Sequence, residues 1–349
     1  MTDLDTLARA ATRELLERSA PDAHTRYADL RHVRARRRTT ALVAIAASVA
    51  LVIGGWQLNG SRTDPIEPAP RPGSVRNGVL LGLDVHVDNP AEAWRAIRGA
   101  QPAYLPEDPA AHAQYQFTAS GTEVVYADGQ ARIMELAIAT GTQRQLTRCP
   151  DDVCAAAVSP DARAIAWTDG DHVRLRSLAN GADTSIPAAG DGLVGAPAWS
   201  PDGTALALVG ADGLYVVTID SGNVRLVVPN RNPGTVLGPV SWSPTNGAVA
   251  FFIGEPRPFK GYEETAFTAS AVDLTTGSVT SLLDAGQCFC VGLPAPTLTW
   301  SPDGTLLAVA TTTSNTLEPG VYLVDPDGSD PERAKIGLYA ALAWQPLTD

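Results

Sequence analysis

Lysine is almost missing from this chain: Lys260 and Lys335 are the only two in 349 residues, and every other basic residue is arginine. Histidine is scarce too, with only His86, His112 and His172 beyond residue 61. No Gly-x-Ser-x-Gly elbow occurs, so the exposed nucleophile of a serine hydrolase has no sequence support. Positive charge is short in the bulk of the chain. Residues 40–349 hold seventeen Lys/Arg against thirty-two Asp/Glu, a balance that excludes nucleic acid as their partner. Residues 1–39 reverse the sign, with nine Arg against six Asp/Glu. Proline (27) and glycine (31), by contrast, are plentiful, which favours many turns and short elements over long helices.

Charge of either sign is absent from Thr39 to Ser61, and Ala41–Trp56 is almost wholly apolar. Residues 39–58 make twenty positions, which at about 1.5 Å each span roughly the 30 Å hydrocarbon core of a bilayer. Arg31, Arg34, Arg36, Arg37 and Arg38 precede the run and only Arg62 follows closely. The positive-inside bias then keeps the N-terminus cytoplasmic and sends the C-terminal part across a cell membrane as a single-pass protein. A cleaved signal peptide is the competing reading. Against it, nearly forty residues precede the run, no Ala-x-Ala-like site follows, and no Cys stands ready for lipid attachment.

Residues 1–38 place Leu4, Leu7, Ala11 and Leu15 near helical spacing, with Thr2 or Asp3 as cap and Pro21 as terminator. The expectation is a short amphipathic helix on the inner membrane face, with docking of a cytoplasmic protein as the alternative. The stub loosely resembles those of bacterial transmembrane anti-sigma regulators, but His24 and His32 have no nearby Cys with which to build a zinc site. Residues 59–76 contain Pro65, Pro68, Pro70 and Pro72 and read as a semi-rigid, extended spacer.

Beyond the spacer the chain repeats itself. Trp199–Val209 reads WSPDGTALALV and Trp300–Ala310 reads WSPDGTLLAVA. Ser, Pro, Asp and Gly fit positions i to i+3 of a type I turn, Pro presetting φ and Gly taking the position with φ > 0. Apolar, β-prone residues flank it, so the string spells a hairpin. Further copies begin at Trp242 and Val158, and a degraded one at Phe117. Taken at the second turn position, the markers are Ala119, Pro160, Pro201, Pro244 and Pro302, with a last one at Pro346. They fall about 42 residues apart, the length of one four-stranded propeller blade. The longer interval before Pro302 carries an insertion, expected as a loop over Gly254–Phe267.

Trp-Ser-Pro-Asp-Gly, an apolar strand and then Asp-x-x-Thr-Gly resembles the TolB-like family of propeller repeats over residues 77–349. The Gly-His and Trp-Asp dipeptides of WD repeats do not occur. The fold class expected is therefore all-β: a six-bladed β-propeller preceded by a cytoplasmic helix and one transmembrane helix. Five blades are continuous. The sixth is shared, because a ring must close to remove its open edges; Gly337–Trp344 ends as a first strand should, and Asn77–Val87 reads as a strand pair that completes it.

Cys149 and Cys154 are expected to form a local disulfide in an oxidising extracytoplasmic location. Cys288 and Cys290 are strained at that spacing, leaving structural, free-thiol and redox roles open. The two pairs lie three blades apart, too far to cross-link. His172, beside Asp169 and Asp171, raises acid–base or metal chemistry against an exposed strand-entry turn, and the turn is the simpler reading. Asp325–Glu332 looks like a calcium loop but places Gly328 two positions too early for an EF-hand, so an acidic hairpin turn is expected. No catalytic residue, metal ligand or cofactor is assigned. The resemblance implies a binding or sensing module for a protein, peptide or glycan at a propeller rim, non-enzymatic. The alternatives are an extracytoplasmic hydrolase or lyase at the channel mouth, and an anti-sigma-like regulator acting through residues 1–38.

Overall fold

The computed structural model describes residues 75–349, apart from 86–92, 107–114, 129, 131, 149–155, 189–191, 231–234, 246, 260–261, 289–295, 312–317 and 349. The helix expected over residues 1–38, the apolar segment 39–58 and nearly all of the expected spacer lie outside the described residues.

Six antiparallel sheets account for the described secondary structure. Blade 1 holds Tyr115–Phe117 (β3), Glu123–Ala127 (β4), Arg132–Ala137 (β5) and Gln143–Arg148 (β6). Blade 2 holds Ala156–Val158 (β7), Ala164–Asp169 (β8), His172–Ser177 (β9) and Asp183–Pro187 (β10). Blade 3 runs through Val194–Trp199 (β11), Ala205–Gly210 (β12), Gly213–Thr218 (β13) and Val224–Pro229 (β14). Blade 4 is built from Thr235–Trp242 (β15), Ala248–Phe259 (β16), Tyr262–Asp273 (β17) and Val279–Cys288 (β18). Blade 5 contains Thr297–Trp300 (β19), Leu307–Ala310 (β20), Gly320–Val324 (β21) and Glu332–Ile336 (β22). The last strand, Tyr339–Thr348 (β23), pairs with the first, Val75–Asp84 (β1), which pairs in turn with Trp94–Arg98 (β2).

Both chain ends thus share blade 6, and the ring closes as the repeat count requires. One detail differs from expectation. Asn77–Val87 is not a strand pair: Val75–Asp84 is a single strand, and its second partner comes from Trp94–Arg98. The strand needs no internal turn because it sits between two neighbours, which accounts for its buried run Val79–Leu83.

Burial follows each strand's place in its blade. Middle strands are packed on both faces, so β20 is buried at all four positions and β12 at five of six. Outer strands face water, and Glu332–Ile336 is exposed at four of five. The apolar clusters lie between neighbouring blades. Trp199, Leu206 and Leu208 of blade 3 pack on Ala166, Val173 and Leu175 of blade 2. Phe252 and Phe267 of blade 4 meet Trp300, Leu307 and Tyr322 of blade 5. A lone blade would leave such faces wet, so the cohesion of the ring resides in these seams.

The expected loop over Gly254–Phe267 is a second correction. Strands β16 and β17 run twelve residues each, in unbroken register from Ala248↔Asp273 to Phe259↔Tyr262. The insertion lengthens an existing hairpin, which lets its backbone groups pair with each other in place of water.

Candidate functional site

The first strand of every blade lines a central tunnel of about 490 Å³. These inner strands are β3, β7, β11, β15, β19 and β23; the first five end in the Ser-Pro-Asp-Gly turn or its variant, whereas β23 runs on as strand through Pro346, which the repeat spacing marks as a turn position. The geometry of that turn explains its recurrence. The Gly203 amide donates to the Ser200 carbonyl (2.9 Å) and the Gly304 amide to that of Ser301 (2.8 Å). The glycines have φ of 71° and 72°, as position i+3 demands. The serine is buried for a reason. Ser200 Oγ donates to Asp202 Oδ1 (2.6 Å) and accepts from the Ala205 amide (2.9 Å); Ser301 Oγ repeats both bonds with Asp303 and Leu306. Thr204 and Thr305 donate to the same aspartates from both amide and hydroxyl. Burial pushes the Asp202 and Asp303 carboxyls up, but this ring of donors outweighs it and leaves both below the ordinary aspartate value.

The degraded copies keep the physics with other residues. In blade 1, Thr118 replaces the serine, and Glu123 Oε2 accepts from Thr118, Ser120 and Thr122 at 2.7–2.9 Å. In blade 2, Ala162 stands where glycine should and carries φ of 55°. Its amide still donates to the Ser159 carbonyl (2.9 Å).

The second turn positions face the tunnel together. Ala119, Pro160, Pro201, Pro244 and Pro302 all line it, one from each of five blades, and Pro346 joins them from within β23 of blade 6. Two more prolines, Pro197 and Pro239, come from the inner strands, with the aromatic walls of Trp199, Trp242, Trp300 and Trp344. Among the described residues Asp202 is the only charged one in the lining; the rest of the polar lining is Gln116 with serines and threonines. The described wall therefore offers apolar, rigid contact around a polar fringe, with no nucleophilic cysteine or basic clamp among its described residues.

Side chains seal the ring around this tunnel. Gln345 Oε1 accepts from the Val79 amide (3.2 Å) while its Nε2 donates to the Gly121 carbonyl (2.7 Å), tying β23 to β1 and to blade 1. Asn77 Oδ1 accepts from the Asp303 amide (3.2 Å), and Gln116 Oε1 from the Val158 amide (3.1 Å). Trp199 Nε1 donates across a seam to the Ala157 carbonyl (3.1 Å). Sequence reasoning missed Gln116 and Asn77 because they stand outside the repeat, and Gln345 because it replaces the motif serine of the last copy.

The residues weighed for chemistry do not converge. His172 Nδ1 pairs with Asp171 (2.5 Å), while Asp169 pairs with Arg174 (2.9 Å), and all four are partly or well exposed at the turn entering β9. Asp325–Glu332 forms a hairpin turn: the Gly328 amide donates to the Asp325 carbonyl (2.9 Å), and Asp327 accepts from Ser329. Among the described residues no group of three His, Cys, Asp or Glu could hold a metal ion. Cys149, Cys154 and Cys290 lie outside the described residues, and only the backbone of Cys288, at the end of β18, is described.

No protein-family model matches the chain, and no curated protein matches it in sequence. Solved structures do match in shape. TolB from Acinetobacter baumannii superposes with a TM-score of 0.54 at 16% identity, over 79% of this chain and 68% of that one. A structure described as TolB from Agrobacterium tumefaciens gives 0.51 at 15%, over 79% and 99%. The fold is a TolB-like six-bladed propeller. A chain from a nidogen/laminin complex matches as well, with a TM-score of 0.53 at 13% identity over 77% and 98%. At these identities the likeness of TolB and of this chain is one of fold.

Proposed function

We propose that this chain is a membrane-tethered, extracytoplasmic propeller that binds a protein or peptide partner at the proline-lined mouth of its tunnel and carries out no chemistry. The observation that carries the reading is the wall itself. Five blades contribute one turn residue each and blade 6 its strand residue Pro346, five of the six being prolines, and among the described lining residues the only carboxylate is engaged by its own turn. Rigid prolines and aromatics already held by packing lose little conformational freedom on contact, which suits recognition of a peptide or protein surface. The similar chain from the nidogen/laminin complex comes from an assembly of proteins, which favours a protein over a glycan.

The tether rests on the apolar stretch Ala41–Trp56 and its arginine flank. It places residues 1–38 in the cytoplasm, where a helix could meet a second partner, and the acidic propeller outside, away from nucleic acid.

Site-specific photo-cross-linking in cells tests the reading. A photoreactive residue at Ala119 or Pro201 is expected to capture a discrete partner band, whereas one at Leu226, on the exposed outer strand β14, is not. Capture at Leu226 with none at the mouth would overturn it.

A further inference from the structure

The four tryptophans of the tunnel wall are not equivalent. Trp199, Trp300 and Trp344 are 9%, 5% and 6% exposed, whereas Trp242 is only half-buried. The seams differ as well. Between blades 2 and 3 the Trp199 indole donates to the Ala157 carbonyl (3.1 Å). Between blades 4 and 5 the Trp300 amide donates to Ser241 Oγ (3.2 Å), and between blades 1 and 2 the Val158 amide donates to Gln116 Oε1 (3.1 Å). Between blades 3 and 4 the position matching Ser241 and Gln116 is Ala198, whose methyl group accepts nothing. The Ser243 amide donates to the Ala248 carbonyl (2.8 Å), so strand alternation turns the Trp242 amide away from β16 and toward the tunnel. Among the described residues no acceptor meets that amide or the Trp242 indole N–H.

Asp202 stands on the turn of blade 3, at one side of the same seam. Its Oδ1 takes all three bonds of the turn, from the Ser200 hydroxyl and from the amide and hydroxyl of Thr204. Oδ2 takes none of them, and the residue is exposed at the mouth. This corner therefore combines two N–H donors, an aromatic face, the half-buried Pro201, Pro239 and Pro244, and one negative charge. Side-chain acceptors around the tunnel are already committed: Ser159 and Ser301 to their own turns, Ser241 and Gln116 to the next blade.

We propose that this corner takes an extended, proline-bearing segment of a partner protein that carries an arginine or lysine beside its prolines. The inference rests on the mouth being a binding surface and adds what binds there. Carbonyls of such a segment accept from the two Trp242 donors, and a proline brings no N–H in need of an acceptor. Its preformed extended helix packs on aromatic faces at low entropic cost. The basic residue answers Asp202 and the acidic balance of residues 40–349, seventeen Lys/Arg against thirty-two Asp/Glu.

The probe is a phage-displayed library of random dodecapeptides, selected on the full chain in detergent. Enrichment of proline beside Arg or Lys is expected. Synthetic copies of the selected peptides should bind Trp242→Phe, which keeps a ring but loses the indole donor, about fivefold more weakly. Asp202→Asn keeps the turn acceptor and loses the charge; it should weaken binding as much and abolish its salt dependence. Asp303→Asn, the same change in blade 5 outside the lining, should leave affinity unchanged. Melting temperatures within a few degrees of wild type verify the ring, and should Trp242→Phe fail to fold, Asp202→Asn with its salt profile decides alone. No enriched binder, binders without proline or a basic residue, or wild-type affinity in the Trp242 and Asp202 variants would overturn the proposal. Thr299→Arg separates the two readings. Peptides weakened by it but not by the other variants overturn only the proposal, whereas peptides indifferent to all three overturn the mouth as well.

Discussion

Replacing Ala162 by glycine should stabilise this protein, although it removes a methyl group. Ala162 occupies the glycine position of its turn at φ 55°, and a left-handed conformation costs a residue with a Cβ roughly 1–2 kcal/mol. Glycine in turn loses about 0.4–1 kcal/mol more chain entropy on folding. The balance predicts a gain of about 0.5–1 kcal/mol for Ala162→Gly. The reverse changes separate strain from collision. At Gly203 a Cβ would meet nothing closer than Pro160 at 3.8 Å, so Gly203→Ala should cost only the strain, about 1 kcal/mol. At Gly304 it would fall 2.2 Å from Thr245 Oγ1, a side chain that can turn away. At Gly121 it would fall 1.9 Å from the Pro346 carbonyl oxygen, which is held by the ring closure. Gly121→Ala should therefore lose at least about 2 kcal/mol more than Gly203→Ala. Urea midpoints at constant slope, in one fixed mild detergent, give the comparison. A destabilised Ala162→Gly, or equal losses at Gly203 and Gly121, would refute the reasoning.

Three further outcomes follow from the same geometry. Ser200→Ala removes the hydroxyl shared by Asp202 and the Ala205 amide, and should cost about 1–3 kcal/mol in the same urea assay. Gln345→Ala strands the Val79 amide at the closing seam, and should lower stability by about 1–2 kcal/mol and raise hydrogen exchange in residues 75–84 first. Acid should weaken the ring. Asp128, Asp202, Asp303 and Glu123 titrate below their ordinary values in the fold. The native state therefore binds fewer protons than the unfolded chain, and their contribution, full above about pH 4–5, is lost as pH falls through the lowered values. Urea midpoints between pH 6 and pH 2.5 measure it, and Asp303→Asn should flatten the profile.

Much of the architecture was legible because a propeller writes its period into the chain. The Ser-Pro-Asp-Gly turn announces each inner strand, and its spacing counts the blades. Where the copies decay, the physics persists through different residues: Glu123 takes the role of the motif aspartate, and Ala162 bears a strained φ. That substitution hides the turn from pattern reading. The strand Val75–Asp84 was misread because one partner, Trp94–Arg98, follows after an interval with no turn motif and the other, Tyr339–Thr348, lies more than 250 residues away. The blade 4 hairpin was misread because Pro256 and Pro258 look like loop residues, whereas the register carries both inside β16 opposite β17. The tunnel was least legible of all. Each blade adds only a few residues to its wall, so no local stretch carries its chemistry.

The most direct test of the binding account places a charge in the tunnel wall without disturbing a seam. Thr299 lines the tunnel and is only half-buried. With the partner captured at Ala119 or Pro201 in hand, Thr299→Arg is predicted to weaken its affinity at least tenfold while leaving the melting temperature within a few degrees of wild type. Undiminished affinity would contradict the account.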